Sequence, residues 1–239
     1  MLIREATTLA DLAAMLDVFH AVWGPQNQPP LNVARAIQHA GGYAAIVEAD
    51  GRVIAGSLGF LGRDHDGAPL LHSHITGALP DRANAGVGFA LKQHQRTWCL
   101  ERGIETITWT FDPLVRRNAW FNLTKLGAVA TAYHADFYGS MDDALNGGDE
   151  TDRLVATWRL REERVVDQPD GPIVLDIGVD GGPVHASGDG DVLRIRIPAE
   201  VTAHRDAWRR AVRDTLGVAI NDGYVAVAMT VDGCYVAVR

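Results

Sequence analysis

The segment Gly86-Val87-Gly88 lies between an apolar strand and a helix, and this order of elements constrains the chain more than any other feature. Leu70–Leu79 has the pattern of a strand, and Phe89–Arg102 has that of a helix ended by Gly103. A turn that opens a helix directs free backbone N–H groups and the positive end of the helix dipole toward one point. The segment therefore predicts an anion site suited to a pyrophosphate, which glycine lets the backbone approach closely.

The glycines alone do not define a known nucleotide-binding motif. Leu91 occupies the third glycine position of the dinucleotide-binding fingerprint, and the GxxxxGK[ST] phosphate loop is absent from the sequence. Because Gly-x-Gly also occurs in ordinary turns, the neighbouring segments must decide between an anion site and a simple turn.

Composition excludes several classes of protein. The 239 residues, 47% of them hydrophobic, suit one large domain or a domain with a smaller appendage. The net charge of -8 and the lack of a Lys/Arg cluster argue against a nucleic-acid partner. No apolar run reaches the ~18 residues of a membrane helix, and the first residues lack a signal-peptide core. Cys99 and Cys234 make no disulfide framework, so we predict a cytoplasmic protein without a membrane partner.

Hydrophobic periodicity predicts the order β-α-α-β-β-β-α-β-α-β-β over residues 1–163. A hairpin-rich half followed by βαβ units indicates a mixed sheet flanked by helices. Beyond residue 163, short strands alternate with Asp/Gly turns, and a helix over His204–Leu216 with Gly217 as its cap precedes a last hairpin. We therefore predict an α/β domain over 1–163 and a small C-terminal α+β extension over 164–239. The Asp/Gly turns are typical of hairpin tips and do not require calcium.

Several further segments resemble the GNAT acyltransferase superfamily, and in particular one subgroup of it. The resembling segments are Ser73-His74, Gly86-Val87-Gly88 with Leu91-Lys92, Gln95-Arg96, Trp109–Leu114, Arg117–Ala119 with Asn122, Lys125–Ala128, Tyr138-Gly139, Leu145-Asn146 and Thr151–Leu154. The resemblance implies the twisted mixed sheet of that fold and acyl-CoA as cosubstrate. Since some members of the subgroup are amino-acid N-succinyltransferases, it implies either acetyl-CoA or succinyl-CoA as the donor.

The resemblance also implies which residues hold CoA. The pyrophosphate would lie against the turn Asn84, Ala85, Gly86, Val87 and Gly88, the pantetheine arm against the backbone of Thr76, Gly77 and Ala78, and the thioester against Asn118 and Ala119. The sequence departs from the usual motif at Ala83, where the family has Arg or Gln. Arg82 beside it is the alternative cation for the pyrophosphate.

Acyl transfer to an amine needs a free amine lone pair, and hence a base or a water relay to one. His72 and His74 alternate onto one face of their strand, and the spacing to the first motif glycine puts His72 where histone-type relatives have a base glutamate. A pKa near ~6.5 would suit that role. The alternative is a histidine pair satisfied by neighbours in the sheet. A His-x-His metal site lacks an evident third or fourth ligand, so we predict no metal.

The general acid of the family is missing. Many members have a tyrosine where this chain has Leu123. Tyr133 and Tyr138 are the nearest tyrosines downstream, and we predict Tyr138 as the replacement.

Two charged residues are candidates for binding the acceptor. Asp112 would relay protons or orient the amine, or else its Asp-Pro pair would form a turn that caps the helix near Arg117. Arg153 would hold a carboxylate by a two-pronged contact, or else form an ion pair with Asp152 or Asp142. The stripe Arg205, Arg209 and Arg213 has the spacing of a solvated helix face.

The sequence therefore predicts an acyl-CoA-dependent N-acyltransferase that acts by direct transfer on a small amine, with an amino acid as one candidate. The alternative is a non-catalytic acyl-CoA-binding or regulatory protein of the same fold, which Ala83 and Leu123 favour. A homodimer is left open.

Overall fold

The computed structural model describes residues 1–24, 28–82, 86–139, 150–163 and 166–239. The strands in these ranges are β1 Leu2–Glu5, β2 Tyr43–Ala49, β3 Arg52–Arg63, β4 Pro69–Ala78, β5 Thr106–Phe111, β6 Val129–His134, β7 Arg153–Arg159, β8 Ile173–Ile177, β9 Pro183–His185, β10 Val192–Arg196, β11 Val225–Met229 and β12 Cys234–Val238. The α-helices are α1 Leu9–Trp23, α2 Leu31–His39, α3 Val87–Glu101, α4 Arg116–Ala119, α5 Arg205–Val212 and α6 Val218–Asn221. The predicted strand Leu70–Leu79 and the predicted helix Phe89–Arg102 agree with the bounds of β4 and α3 to within two residues.

The chain divides into two compact units. The first takes in Met1–Trp109 and Arg159–Arg161, and the second takes in the described residues of 110–140, 149–158 and 162–239. This division falls inside the segment 1–163 that we predicted as one domain. The boundary between 163 and 164 stays a prediction, because compactness alone does not define the parts that fold independently.

Helices cover both faces of the sheet in the first unit. Its strands are ordered β1-β2-β3-β4-β5, antiparallel except for the parallel pair β4 and β5. Ala44 and Ile46 of β2 belong to the apolar core beneath α1. Tyr43 contacts the ring of Trp98 on α3, with the centroids 5.3 Å apart. Because consecutive side chains of a strand point to opposite faces, α1 and α3 cover opposite faces of the sheet.

The start of α1 has a capping box. The hydroxyl of Thr8 accepts a hydrogen bond from the backbone N–H of Asp11, and the carboxylate of Asp11 accepts one from the N–H of Thr8. These reciprocal bonds satisfy two backbone donors that a helix otherwise leaves open. The first helix is therefore fixed by local sequence.

A bulge in β4 is the main irregularity of the first unit. Ser73 pairs with Gly59 and Ile75 with Leu58 of β3, so His74 is an extra residue in the ladder. On its other side β4 pairs with β5 at Leu71 and His72. The registered pairing with β5 thus ends just before the bulge, and the rest of β4 continues to Ala78.

The second unit has strand order β7-β6-β11-β12-β10-β8-β9, antiparallel except for β8 and β10. The helical segment after β5 is α-helical only as α4 and continues as a π-helical turn over Trp120–Lys125. Thr124 in this turn exchanges hydrogen bonds with the backbone of Met229 on β11.

The prediction that Gly217 caps the long C-terminal helix is wrong. The helix passes through Gly217 with a φ of -63° and continues as α6. A Cβ at Gly217 would lie 3.2 Å from the ring of Tyr133. Glycine is therefore suited to this position because it lets the helix approach the ring closely.

The described part of the chain holds no helix long and apolar enough to span a bilayer.

Candidate functional site

The N-terminus of α3 has the geometry that the glycine motif predicts. Gly86 is the N-cap residue and has a φ of +75°, a conformation that side chains other than glycine rarely adopt. Among the described residues, no atom beyond the adjacent residues and the backbone of the helix itself lies within 4 Å of where a Cβ would stand at Gly86 or at Gly88. The described residues therefore leave the side-chain positions at the start of this helix open, and a helix N-terminus of this kind fits a phosphate group.

Of the residues before Gly86 that are predicted for the pyrophosphate, the structure describes only Arg82. Asn84 and Ala85, and with them Ala83, lie outside the described residues. Arg82 donates a hydrogen bond of 3.0 Å to the carboxylate of Asp50. The guanidinium is therefore held near the surface by a carboxylate, and its role toward a pyrophosphate stays a prediction.

The last residues of β4 have one side of their backbone engaged. Thr76, Gly77 and Ala78 pair with β3, while the registered pairing of β4 with β5 has already ended at His72. The Cα of Gly77 lies against the indole of Trp23, which a Cβ would approach to 2.5 Å. Glycine is thus needed here for packing, and a ligand strand alongside Thr76–Ala78 would use the opposite edge.

The two predicted catalytic histidines lie together beside Phe60. The ring centroid of Phe60 is 5.0 Å from that of His72 and 5.9 Å from that of His74. The Nδ1 of His72 also lies 3.2 Å from the hydroxyl of Thr108 on β5. This contact favours a fixed orientation of the imidazole, and the His72 ring is half-buried.

The pKa values of both histidines differ from our expectation of about ~6.5. Burial lowers the pKa of His72 to about 4, and the charges of His74 and Lys92 add to this effect. The pKa of His74 is lowered too, by the buried part of its ring. Both imidazoles are therefore neutral at pH 7, and His72 is a weaker base than an exposed histidine.

Sequence reasoning missed Lys92 as part of this region. Its side chain is buried, and Nζ donates hydrogen bonds to Ser73 Oγ at 2.9 Å and to Gln95 Oε1 at 3.2 Å. Nζ also lies 3.9 Å from the centroid of the Trp109 ring. Burial lowers the pKa of Lys92 to about 7. The resembling segment Leu91-Lys92 includes this residue, but the helical pattern around it does not indicate that its side chain is buried.

In the second unit, Tyr138 and Arg153 lie next to each other. The hydroxyl of Tyr138 is 3.0 Å from Thr110 Oγ1, and the Arg153 guanidinium lies 5.3 Å from the centroid of the Tyr138 ring. Phe137 packs edge-on against Tyr138, and both rings are exposed to solvent. Arg153 also donates a hydrogen bond to the backbone of Asp152.

The turn that carries these rings is held by a buried carboxylate. Asp136 adopts a positive φ of 44°, and its N–H donates to Asp152 Oδ1 at 3.0 Å. The N–H of Tyr138 donates to the hydroxyl of Thr151 at 2.9 Å. Asp152 also accepts a hydrogen bond of 2.6 Å from the hydroxyl of Tyr133. Tyr133 is thereby committed to a structural bond, which leaves Tyr138 as the more accessible phenol.

Asp112 is held by an arginine from the C-terminal region. Both its carboxylate oxygens accept hydrogen bonds from Arg209, at 2.6 and 3.0 Å, and one also accepts from the N–H of Leu114. Asp112 thus caps the turn at Leu114, but the prediction that it caps the helix near Arg117 is wrong, because α4 begins after Val115 and has no side-chain cap hydrogen bond. The role of Asp112 toward an acceptor amine stays a prediction.

The interpretation of the arginine stripe as a solvated face is wrong for two of its three members. Arg209 is buried against Asp112, and Arg213 donates hydrogen bonds to Asp152 at 2.6 and 3.0 Å. Burial works to raise the pKa of Asp152, but the bonds from Arg213 and Tyr133 outweigh it and lower that pKa. The ion-pair partner of Asp152 is thus Arg213.

The residues predicted at the thioester end lie on α4. Asn118 is exposed, whereas the side chain of Ala119 is buried. Leu123, at the position of the family tyrosine, is also fully buried. No hydroxyl therefore replaces the tyrosine at that position.

A cavity of about 610 Å³ lies elsewhere in the second unit, lined mainly by residues 185–191 and by α6 and the chain end. None of the predicted site residues lines it. Within the ranges the structure describes, no cluster of three or more His, Cys, Asp or Glu side chains is placed to hold a metal ion.

Comparisons with known proteins identify the fold. No family model and no curated protein matches the sequence. The ribosomal-protein-S18-alanine N-acetyltransferase from Escherichia coli is 16% identical over 69% of this chain and 97% of its own, with a TM-score of 0.53. The yncA protein from Salmonella typhimurium, solved with its cofactor acetyl-CoA, is 19% identical over 70% and 98%, with a TM-score of 0.53. A GNAT-family protein from Desulfovibrio desulfuricans is 14% identical over 66% and 98%, with a TM-score of 0.50.

The chain therefore has the GNAT fold, as its sequence resemblance implies, and the predicted α/β class with a mixed sheet flanked by helices is confirmed. These similarities span nearly the whole of each neighbour but only 66–70% of this chain. At such low identities the likeness defines the fold and not the substrate.

Proposed function

We propose that the protein is an acyl-CoA-dependent N-acyltransferase of the GNAT superfamily. The observation that carries this proposal is the open N-terminus of α3 beside the part of β4 that has left β5. The helix N-terminus would hold the pyrophosphate of CoA through the backbone at Gly86, Val87 and Gly88. The edge at Thr76–Ala78 would hydrogen-bond the pantetheine amides as a strand bonds its neighbour.

The reaction we propose is direct transfer from the thioester to a small amine. The amine nitrogen attacks the thioester carbonyl and forms the amide bond, the C–S bond breaks, and the amine proton is lost through His74 or His72 and a water molecule. Because the pKa of a thiol is only about ~8.5, a thiolate leaves without strong help from an acid. Tyr138 would then assist the leaving group only weakly.

The donor we propose is acetyl-CoA or succinyl-CoA, and the acceptor class is an amine that includes amino acids. Arg153 is the residue we assign to a carboxylate, either of a succinyl group or of an amino acid. A guanidinium suits this role because it binds carboxylates in a planar, two-pronged way.

The second candidate is a non-catalytic acyl-CoA-binding protein. The buried Leu123 in place of the family acid, and the weak basicity of His72, favour this alternative. It shares the CoA site with the first candidate but predicts binding without turnover.

A thiol-release screen of acetyl-CoA and succinyl-CoA against a panel of amines separates the two candidates. We expect thiol release that depends on both the acyl-CoA and one class of amine. Calorimetry with CoA alone is the companion measurement. Binding without turnover on any amine would support the non-catalytic protein, and a lack of CoA binding would reject both.

A further inference from the structure

Lys92 places an amine in the interior of the first unit with only neutral partners. Its side chain is 5% exposed, and the hydrogen-bond partners of Nζ are a hydroxyl, Ser73, and an amide, Gln95. In the described residues no carboxylate forms an ion pair with it. Because a buried charge without a partner is costly, an amine in this position is favoured in its uncharged form.

The hydrogen bonds from Lys92 form a loop that begins and ends on β4. From Lys92 one bond reaches Ser73 on β4 and another reaches Gln95 on α3. Gln95 Nε2 lies 3.5 Å from Ser57 Oγ on β3, and Ser57 Oγ lies 2.7 Å from Thr76 Oγ1 on β4. The loop therefore connects α3 to two points of the same strand.

The segment between these two points contains the bulge at His74. Side chains three positions apart in a regular strand point to opposite faces. Here Ser73 and Thr76 both face α3, because the extra residue His74 shifts the alternation. The loop thus surrounds the part of β4 where its pairing with β5 ends. His72 and His74 lie at this part of the strand, on the opposite face of the sheet.

We propose that Lys92 is a positioning residue, whose buried amine holds the bulged Ser73–Thr76 segment of β4 against α3. It acts through Ser73 directly and through Gln95 and Ser57 on Thr76. In doing so it sets the orientation of His72 and His74 and of the edge at Thr76–Ala78. The consequence for catalysis rests on the proposed function, whereas the placement of the bulge does not.

Because the buried amine of Lys92 can be protonated, we expect its contact with β4 to depend on pH. The titratable groups whose charges interact with that of Lys92 are Cys99 on α3 and His72 on β4. Burial lowers the pKa of Lys92 to about 7, and only Cys99 acts in the opposite sense. Once protonated, the amine also opposes protonation of His72.

The effect on stability has a definite sign. An unfolded lysine titrates near ~10.4, so between pH 7 and that value the unfolded chain binds a proton that the folded chain does not. Stability therefore rises with pH through this window, and the penalty of the buried charge is fully present below pH 7.

The test uses Lys92→Met, which keeps an apolar chain over Trp109 and removes the amine. Imidazole NMR signals of His72 and His74 report on the bulge without any turnover, and calorimetry reports on CoA. We expect the pKa of His72 to rise, both histidine signals to shift, and CoA affinity to fall on the order of tenfold. We also expect the variant to resist urea better than the native protein at pH 6, with this advantage declining toward pH 10.

Lys125→Met is the matched control, because Lys125 is the only other lysine in the sequence and is exposed. It should leave the histidine signals and the pH dependence of stability unchanged. It also assigns the two Cε signals of the 13C-lysine-labelled protein, in which Lys92 should titrate near pH 7.

Unmoved histidine signals together with native CoA affinity in Lys92→Met would overturn the proposal. A loss of stability that is equal at every pH would show a purely structural residue. If Lys92→Met does not fold, Ser73→Ala removes the contact on β4 and must shift the same histidine signals for the proposal to stand. Failure of the proposed function would appear separately, as absent CoA binding with the histidine shifts intact.

Discussion

Arg209 holds both carboxylate oxygens of Asp112, at 2.6 and 3.0 Å, across 97 positions of sequence. The two side chains are 5% and 11% exposed, so the ion pair is nearly closed to water. It fixes α5 to the segment that follows β5 within the second unit. The C-terminal region therefore supports residues that were predicted to belong to the acyltransferase domain.

Removal of this pair should destabilise the protein strongly. Arg209→Leu leaves the Asp112 carboxylate buried without its partner, and we expect a loss of about 3–5 kcal/mol in the free energy of unfolding by urea. Arg210→Met, an exposed arginine on the same helix, should change it by less than about 0.5 kcal/mol. Equal effects of the two variants would contradict the structural importance of the pair.

The pyrophosphate site can be tested at Gly88 without straining the backbone. Gly88→Glu places a carboxylate in the open space at the helix start, where it would repel a phosphate. We expect CoA affinity, measured by calorimetry, to fall at least on the order of tenfold, which corresponds to ~1.4 kcal/mol. Gly88→Ala, which adds only a methyl group to the same space, is the control. Unchanged CoA binding in a folded Gly88→Glu variant would exclude this turn as the site.

The pH dependence of the reaction tests whether His72 is the base. A base must be neutral, so if His72 is the base, kcat/KM should fall as the pH drops through about 4. Replacement of the true base by Gln should cost on the order of 10²-fold in turnover. We would compare His72→Gln, His74→Gln and the exposed control His39→Gln. Native kcat in both test variants from about pH 6 to 9 would mean that the histidines only satisfy their neighbours in the sheet.

Kinetics with pairs of substrates, one with and one without the carboxylate, test the role of Arg153. Arg153→Met should raise the apparent KM for the ligand that carries the carboxylate, since a charge-assisted two-pronged contact is lost. A change confined to succinyl-CoA against acetyl-CoA would place Arg153 at the acyl end. A change confined to an amino acid against its amide would place it at the acceptor. Arg159→Met, at the other end of β7, is the control, and equal kinetics on every pair would assign Arg153 a structural role.

Local signals in the sequence were sufficient to predict many of the helices, strands and turns of the first unit. The capping box at Thr8 and Asp11, the turn at Gly86 and the strand–turn–helix order are written in neighbouring residues. Each is governed by backbone conformation and by hydrogen bonds over a few positions. The resemblance to GNAT proteins includes the glycine turn at Gly86, and the fold it implied is confirmed.

Local signals could not predict the burial of the charged side chains or their partners. Arg209 and Arg213 have the spacing of a solvated helix face, and nothing near them in sequence indicates that Asp112 and Asp152 are their partners. Lys92 likewise stands among residues of an ordinary amphipathic helix. The chemistry of an ionisable group depends on its burial and its neighbours in space, which periodicity does not encode.

The sequence by itself determined the elements, the glycine turn and the fold class, because these depend on local backbone preferences and on the apolar pattern. Tertiary structure decided which carboxylates are already held by arginines and which amine is buried. It also decided that Gly217 lies inside a helix against Tyr133. These features arise from contacts between residues far apart in the chain, where packing and desolvation act together.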